Sequence, residues 1–183
     1  MSEDKKKYEL LTTDIKSNLF RIKALKDFGN VKAGDLGGYI ASEENLSQAG
    51  SCWVYGDARV SDNARVFGDA WVYGDAQVFD NARVFGNAWV SGNARVYGNA
   101  RVFDNARVFD NVRVYGNAVA TKPVISLINA GEHNITITDT HIAIGCENHT
   151  ISHWKKNIRK IGVANGYSEA EIKKTKALLK AVL

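Results

Sequence analysis

From Val54 to Val114 the chain repeats every six residues in the pattern V-[FYS]-[GD]-[DN]-[AV]-x. Valine recurs at Val54, Val60, Val66, Val72, Val78, Val84, Val90, Val96, Val102, Val108 and Val114. Four residues after each comes a small partner, alanine from Ala58 to Ala118 except at Val112. A period of six with two apolar positions does not suit an α-helix, and it is too regular for a meander of unlike strands. It describes short strands coiled and stacked on one another.

Within one hexad, the run Ala-Arg-Val-Phe alternates, so Ala and Val are expected inside and Arg and Phe outside. The next two residues are Gly or Asp, then Asn or Asp, the types that best tolerate left-handed backbone angles, and they supply a corner. A lone hexad has too little to bury; the array is what folds.

This spacing resembles the hexapeptide-repeat, left-handed parallel β-helix proteins, in which three hexads make one triangular coil. The resemblance implies an all-β chain built from 18-residue coils, and Trp53, Trp71 and Trp89 do fall 18 residues apart. Upstream, Asp27-Phe28-Gly29-Asn30-Val31 through Asp35-Leu36-Gly37-Gly38-Tyr39-Ile40, and Cys52-Trp53-Val54-Tyr55, are similar to the entry segment of YdcK-type transferases and related phage or prophage proteins. The tail from Ile135 to Cys146, with Trp154, is similar to the phage members. That likeness implies a phage or prophage source, a host-cell cytoplasmic setting and a role in inhibiting or sequestering a host factor.

The expected organisation is an N-terminal cap over 1–45, the hexapeptide-repeat body over 46–120, irregular closing strands over 121–150 and a helical segment over 151–183. Leu19 to Leu25 alternates as a strand, and Gly34 to Gly38 reads as a turn cluster. Pro123 marks the loss of hexad register, after which Val124–Ile128, Asn134–Thr138 and His141–Ile144 read as strands, the first two separated by Asn129-Ala130-Gly131. Ile151, Trp154, Ile158 and Ile161 recur at helical spacing, and Ser168 with Glu171 forms a capping box for a last helix. These helices are expected against the rod or a neighbouring chain.

Nothing in the sequence is apolar for long enough to span a membrane, and the charged start Met1 to Lys7 is unlike a signal peptide, so a cytoplasmic location without a membrane partner is expected. Cys52 takes an inward hexad position and reads as a buried thiol. Basic and acidic residues balance over 1–50 (eight each) and 51–120 (seven each), whereas 121–183 carries nine basic and five acidic. Attraction to an anionic partner therefore belongs to the C-terminal segment.

The candidate binding or interface residues lie on three outer stripes. One holds Trp53, Trp71 and Trp89 beside Tyr55, Tyr73 and Phe109; the second Arg59, Arg95 and Arg113 beside Phe79, Tyr97 and Tyr115; the third Arg65, Arg83 and Arg101 beside Phe67, Phe85 and Phe103. So much outward aromatic surface suits either ladders covered by arginine or a buried interface between copies. The family resemblance implies a homo-oligomer, a trimer by preference. A protein or nucleotide-like ligand is the further partner considered; Asp57, Asp69 and Asp75 offset the arginines, so the rod is not expected to bind nucleic acid.

Acyltransferases of the resembling family use a histidine base and a loop thrown out between coils. The run Val54 to Val119 has neither, since His133, His141, His149 and His153 all lie beyond it. Cys146, His149 and His153 have the spacing of a candidate zinc site, but packed or exposed side chains are the expected reading, with no metal, cofactor or catalytic residue assigned. The sequence thus points to a non-enzymatic oligomeric binding or scaffold module, with an acyltransferase and a virion structural component as alternatives.

Overall fold

In the computed structural model, which describes residues 6–127 and 133–183, the repeats form a parallel β-solenoid. The chain opens with β1 (Tyr8–Lys16), β2 (Leu19–Ala24) and β3 (Leu36–Ile40). Strands β4 to β15 are two residues each, recurring every six residues from Trp53–Val54 to Val119–Ala120. Each from β4 to β12 pairs in parallel with the strand 18 residues on, as Trp53 with Trp71 and Arg83 with Arg101. The solenoid has three sheets, and its longest parallel run, β3-β5-β8-β11-β14, has five rungs.

Inside, every repeat valine from Val54 to Val114 and every partner from Ala58 to Ala118 is buried. The corners turn through left-handed residues once per hexad, as at Gly56, Asp62, Gly68, Gly74 and Asp80. A Cβ on Gly98 would lie 2.9 Å from the backbone nitrogen of Gly116 one coil on, so the spacing between coils keeps the corner narrow. Aspartate at a corner closes the next rung: Asp62 accepts from the Asp80 amide (3.2 Å) and Asp80 from the Gly98 amide (3.0 Å).

The N-terminal hairpin closes the first coil. β1 and β2 pair antiparallel across Ser17-Asn18, both at positive φ, and β2 pairs antiparallel with β3, whose other edge begins the parallel stack. The expected turn over Gly34 to Gly38 holds at Gly34, at positive φ, and is corrected beyond it: Gly37 and Gly38 are strand residues of β3. They are small because a Cβ would stand 2.5 Å from the Ile22 side chain at Gly37 and 2.5 Å from the Ala58 carbonyl oxygen at Gly38. Asn45, fully buried, accepts from the Ala41 and Ser42 amides and donates to the Asp62 and Ala64 carbonyls, tying the first corner to the second coil.

Lys7, the last residue of the charged start, folds into the cap. Its side chain is buried, with Nζ 3.0 Å from the Cys52 carbonyl, 3.3 Å from the Cys52 Sγ and 5.0 Å from the Phe28 ring centre. Burial pushes the Lys7 ammonium below its ordinary range and the Cys52 thiol above its own, since leaving water disfavours the charged form of each. Residues 1–5 lie outside the described residues.

At the other end the Val124 amide bonds the Arg107 carbonyl, keeping Val124 in the solenoid interior after the proline and turning Ile125 outward. An antiparallel sheet follows: β16 (Ile125–Leu127), β17 (Ile135–Ile137), β18 (His141–Ile144) and β19 (Glu147–Thr150). The expected break at Asn129-Ala130-Gly131 lies outside the described residues. Asp139 and Thr140 bond Val119 and Thr121, and Asn148 bonds the Tyr115 carbonyl, fastening this sheet to the last coil.

Helix α1 (Ile151–Ala164) is capped by Thr150, and α2 (Glu169–Val182) by the reciprocal Ser168–Glu171 box. Both pack on the antiparallel sheet, where Trp154, Ile158 and Leu179 meet Ile135, Ile137 and Ile142 in a second core apart from that of the rod. The Trp154 indole donates to the Ile142 carbonyl at 2.7 Å. No helix among the described residues is long and apolar enough to cross a membrane.

Candidate functional site

Because rungs are in register, identical positions stack. Phe67, Phe85 and Phe103 form a column with ring centres 4.7 Å apart, and Phe79, Tyr97 and Tyr115 another at 4.9 and 5.1 Å, all within 5° of parallel. The columns are half-buried, and each ring covers the face of the next, so solvent meets mainly ring edges.

The tryptophan stripe departs from the outward column expected of it. Trp71 and Trp89 stack at 5.6 Å and Arg107 lies 4.1 Å above Trp89, but Trp53 is fully buried. Tyr8, Phe28 and Tyr55 surround Trp53 edge-on at 6.0, 5.2 and 6.4 Å, because the N-terminal cap folds over the first coil where later rungs are bare. Beside this stripe, Tyr55 and Tyr73 are half-buried, and nearly buried Ser91 separates Tyr73 from Phe109. Large apolar exposure on the coils therefore gathers at one place: Trp89 (37% exposed) and Phe109 (45%), with Ile125 (41%) following beside them.

The arginines mark the other two faces. Arg65, Arg83, Arg101, Arg95 and Arg113 are exposed and Arg59 is half-buried, and none is ion-paired among the described residues. Of the coil arginines only Arg101, 5.4 Å from the Phe103 ring centre, and Arg107 lie over a ring, so arginine does not cover the ladders generally. The corner carboxylates go elsewhere: Asp57 to Lys16 at 2.8 Å and Asp69 to the Ser51 hydroxyl at 2.6 Å, bonds that hold both carboxyls below the ordinary range.

A polar cluster occupies β18, β19 and α1, bringing together His149 and His153, which the sequence had grouped, with Glu147 and His141, which it had not. Glu147 and His149, two apart on one strand and hence on one face, meet at 2.6 Å, and His149 stacks on His153 at 4.6 Å between ring centres. Asn165 and His149 bond Glu147 and hold its carboxyl below the ordinary range, while burial, with His149 nearby, pushes His141 down. The Glu-x-His alternation on a strand was the available signal. A small cavity of about 80 Å³ beside this cluster is lined by His133, Cys146, Glu147, Trp154 and Tyr167 among others. Among the described residues no three His, Cys, Asp or Glu side chains gather as metal ligands, so Cys146 does not join His149 and His153.

Comparison with known proteins finds the family described as "YdcK Beta solenoid repeat" matching residues 58–74, 76–92, 94–108 and 106–120. A curated relative from Escherichia coli (strain K12), named "Uncharacterized acetyltransferase YdcK", is 35% identical over 36% of this chain. The match spans 23% of that relative's length.

Proposed function

We propose that this chain, a YdcK-type β-solenoid repeat protein, is a non-enzymatic binding and scaffold module that associates with copies of itself through the face bearing Trp89, Phe109 and Ile125. The observation that carries this reading is the distribution of the surface: exposed large apolar groups of the coils collect on that face, where the single arginine, Arg107, lies over Trp89, while the other two present rows of arginines without ion-pair partners among the described residues over half-buried ladders. Burying apolar area favours contact between copies, and like-charged arginine rows oppose it. The arginine faces are thereby left for an anionic ligand or protein. Because the ladder rings already cover one another, they do not offer faces on which bases could stack, which argues against single-stranded nucleic acid.

Light scattering should report a multiple of the 20.1 kDa chain, with a trimer the preferred state. Trp89→Ala with Phe109→Glu should yield monomers, while Arg83→Ala with Arg101→Ala should not. A monomeric parent protein at micromolar concentration would sink the reading.

One observation favours a second reading, an acyltransferase: the Glu147–His149 pair has the form of a general base with its orienting partner, and the curated relative carries an acetyltransferase name. The pair sits on the closing sheet beside the last coil, where Asn148 bonds the Tyr115 carbonyl, and the coil faces present no inserted loop to hold an acyl donor. The binding-module reading expects no thermal stabilisation by acetyl-CoA and no turnover with amine or hydroxyl acceptors. Acetyl transfer that vanishes in His149→Ala would overturn it.

A further inference from the structure

The helices α1 and α2 carry lysines with no local counter-charge. Lys155, Lys156, Lys160, Lys173, Lys174, Lys176 and Lys180 are all exposed, and none is ion-paired among the described residues. The two carboxylates of the helices are already engaged: Glu169 accepts from Arg159 Nε at 2.8 Å, and Glu171 completes the Ser168 capping box.

Three of these lysines surround an apolar opening. A groove of about 270 Å³ runs between the helices over Trp154, Ile158 and Leu179, and Lys155, Lys176 and Lys180 stand on its lining. Lys176 and Lys180 lie one turn apart on the same face of α2, and Lys155 belongs to α1, so positive charge flanks the groove from both helices. Trp154, Ile158 and Leu179 are at most 8% exposed and form a floor recessed beneath the lysine heads, while Leu183, also on the lining, is exposed.

We propose that this groove binds a free single-chain anionic amphiphile of the fatty-carboxylate class. Its hydrocarbon chain lies on Trp154, Ile158 and Leu179, and its carboxylate is held by Lys155, Lys176 and Lys180. Charge complementarity selects the anionic head, since these three ammonium groups have no ion-pair partner among the described residues, and the carbon lining selects the chain. The recess distinguishes this occupant from a bilayer, which would touch the lysines without reaching the floor. It also distinguishes it from an acidic helix of another protein, whose diameter of about 10–12 Å exceeds so small a space. The assignment does not depend on the coil faces or on the oligomeric state.

Titration calorimetry of the full chain with dodecanoate, below its micellar concentration, tests it. Saturable binding to one site per chain is expected, with dodecanol and acetate each weaker by about tenfold or more, as loss of charge-assisted bonds or of chain burial requires. The triple variant Lys155→Ala, Lys176→Ala, Lys180→Ala should lose affinity about tenfold or more. It should keep the parent melting temperature, because the three side chains are exposed and unpaired. The control Lys156→Ala, Lys173→Ala, Lys174→Ala should bind like the parent. Absence of dodecanoate binding overturns the proposal, as does equal loss in both triples, which would indicate a diffuse basic surface. Flotation with phosphatidylglycerol vesicles by a protein indifferent to dodecanoate would assign the lysines to a membrane surface and also overturn it.

Discussion

Val84→Asp should abolish soluble expression, while Arg83→Ala, its immediate neighbour, should leave the fold intact. Val84 is fully buried at mid-rod, stacked between Val66 and Val102 on successive rungs. A carboxylate there would lose its hydration among valines and alanines that offer no donor, and an uncompensated buried charge of this kind costs on the order of 3–5 kcal/mol. The damage would also spread, since each coil is stabilised by contact with its neighbours. Arg83 points outward without an ion-pair partner, and its removal should stay within about 0.5 kcal/mol. Expression yield and urea denaturation of the two variants measure the difference. Equal tolerance would contradict the inside–outside alternation on which the solenoid rests.

Trp53→Ala is expected to cost about 3–5 kcal/mol and to loosen the N-terminal cap. Tyr8 and Phe28 converge on the indole, and the Tyr8 hydroxyl donates to the Leu46 carbonyl at 2.6 Å, so this one ring joins the cap to the first coil. With the cap loosened, the first coil exposes an unpaired strand edge, and higher-order association should grow with concentration. Trp53→Phe should cost much less, because the indole N–H has no hydrogen-bond acceptor among the described residues and the ring contributes chiefly through packing. Denaturation midpoints and gel filtration over a concentration series separate the two variants. A Trp53→Ala protein as stable as its parent would mean the cap is held independently of the indole.

The solenoid was legible because the residues that decide it lie within one repeat. Val and Ala alternate inward over a few residues, and Gly or Asp takes the left-handed corner two positions after each valine, so neither choice needs knowledge of a distant segment. The helices were legible for a similar reason, the first from the spacing of Ile151, Trp154, Ile158 and Ile161 and the second from the local Ser168–Glu171 box. The aromatic stripes could be sorted by period, but how far each ring is exposed could not, because stacking between rungs and cover from elsewhere both intervene.

What the sequence by itself determined, then, is the coil: its period, its inward face, its corners and the columns in which its outer residues stack. Tertiary structure alone decided that Trp53 is interior while Trp89 is exposed, that Lys7 is buried against Cys52, and that Gly37 and Gly38 are strand rather than turn. It also decided that Lys155 meets Lys176 and Lys180 around one groove. The physical reason is range. A hexad's pattern is enforced by steric and hydration preferences within six residues, whereas burial of a particular side chain depends on which remote segment closes over it, and the repeat carries no record of that segment.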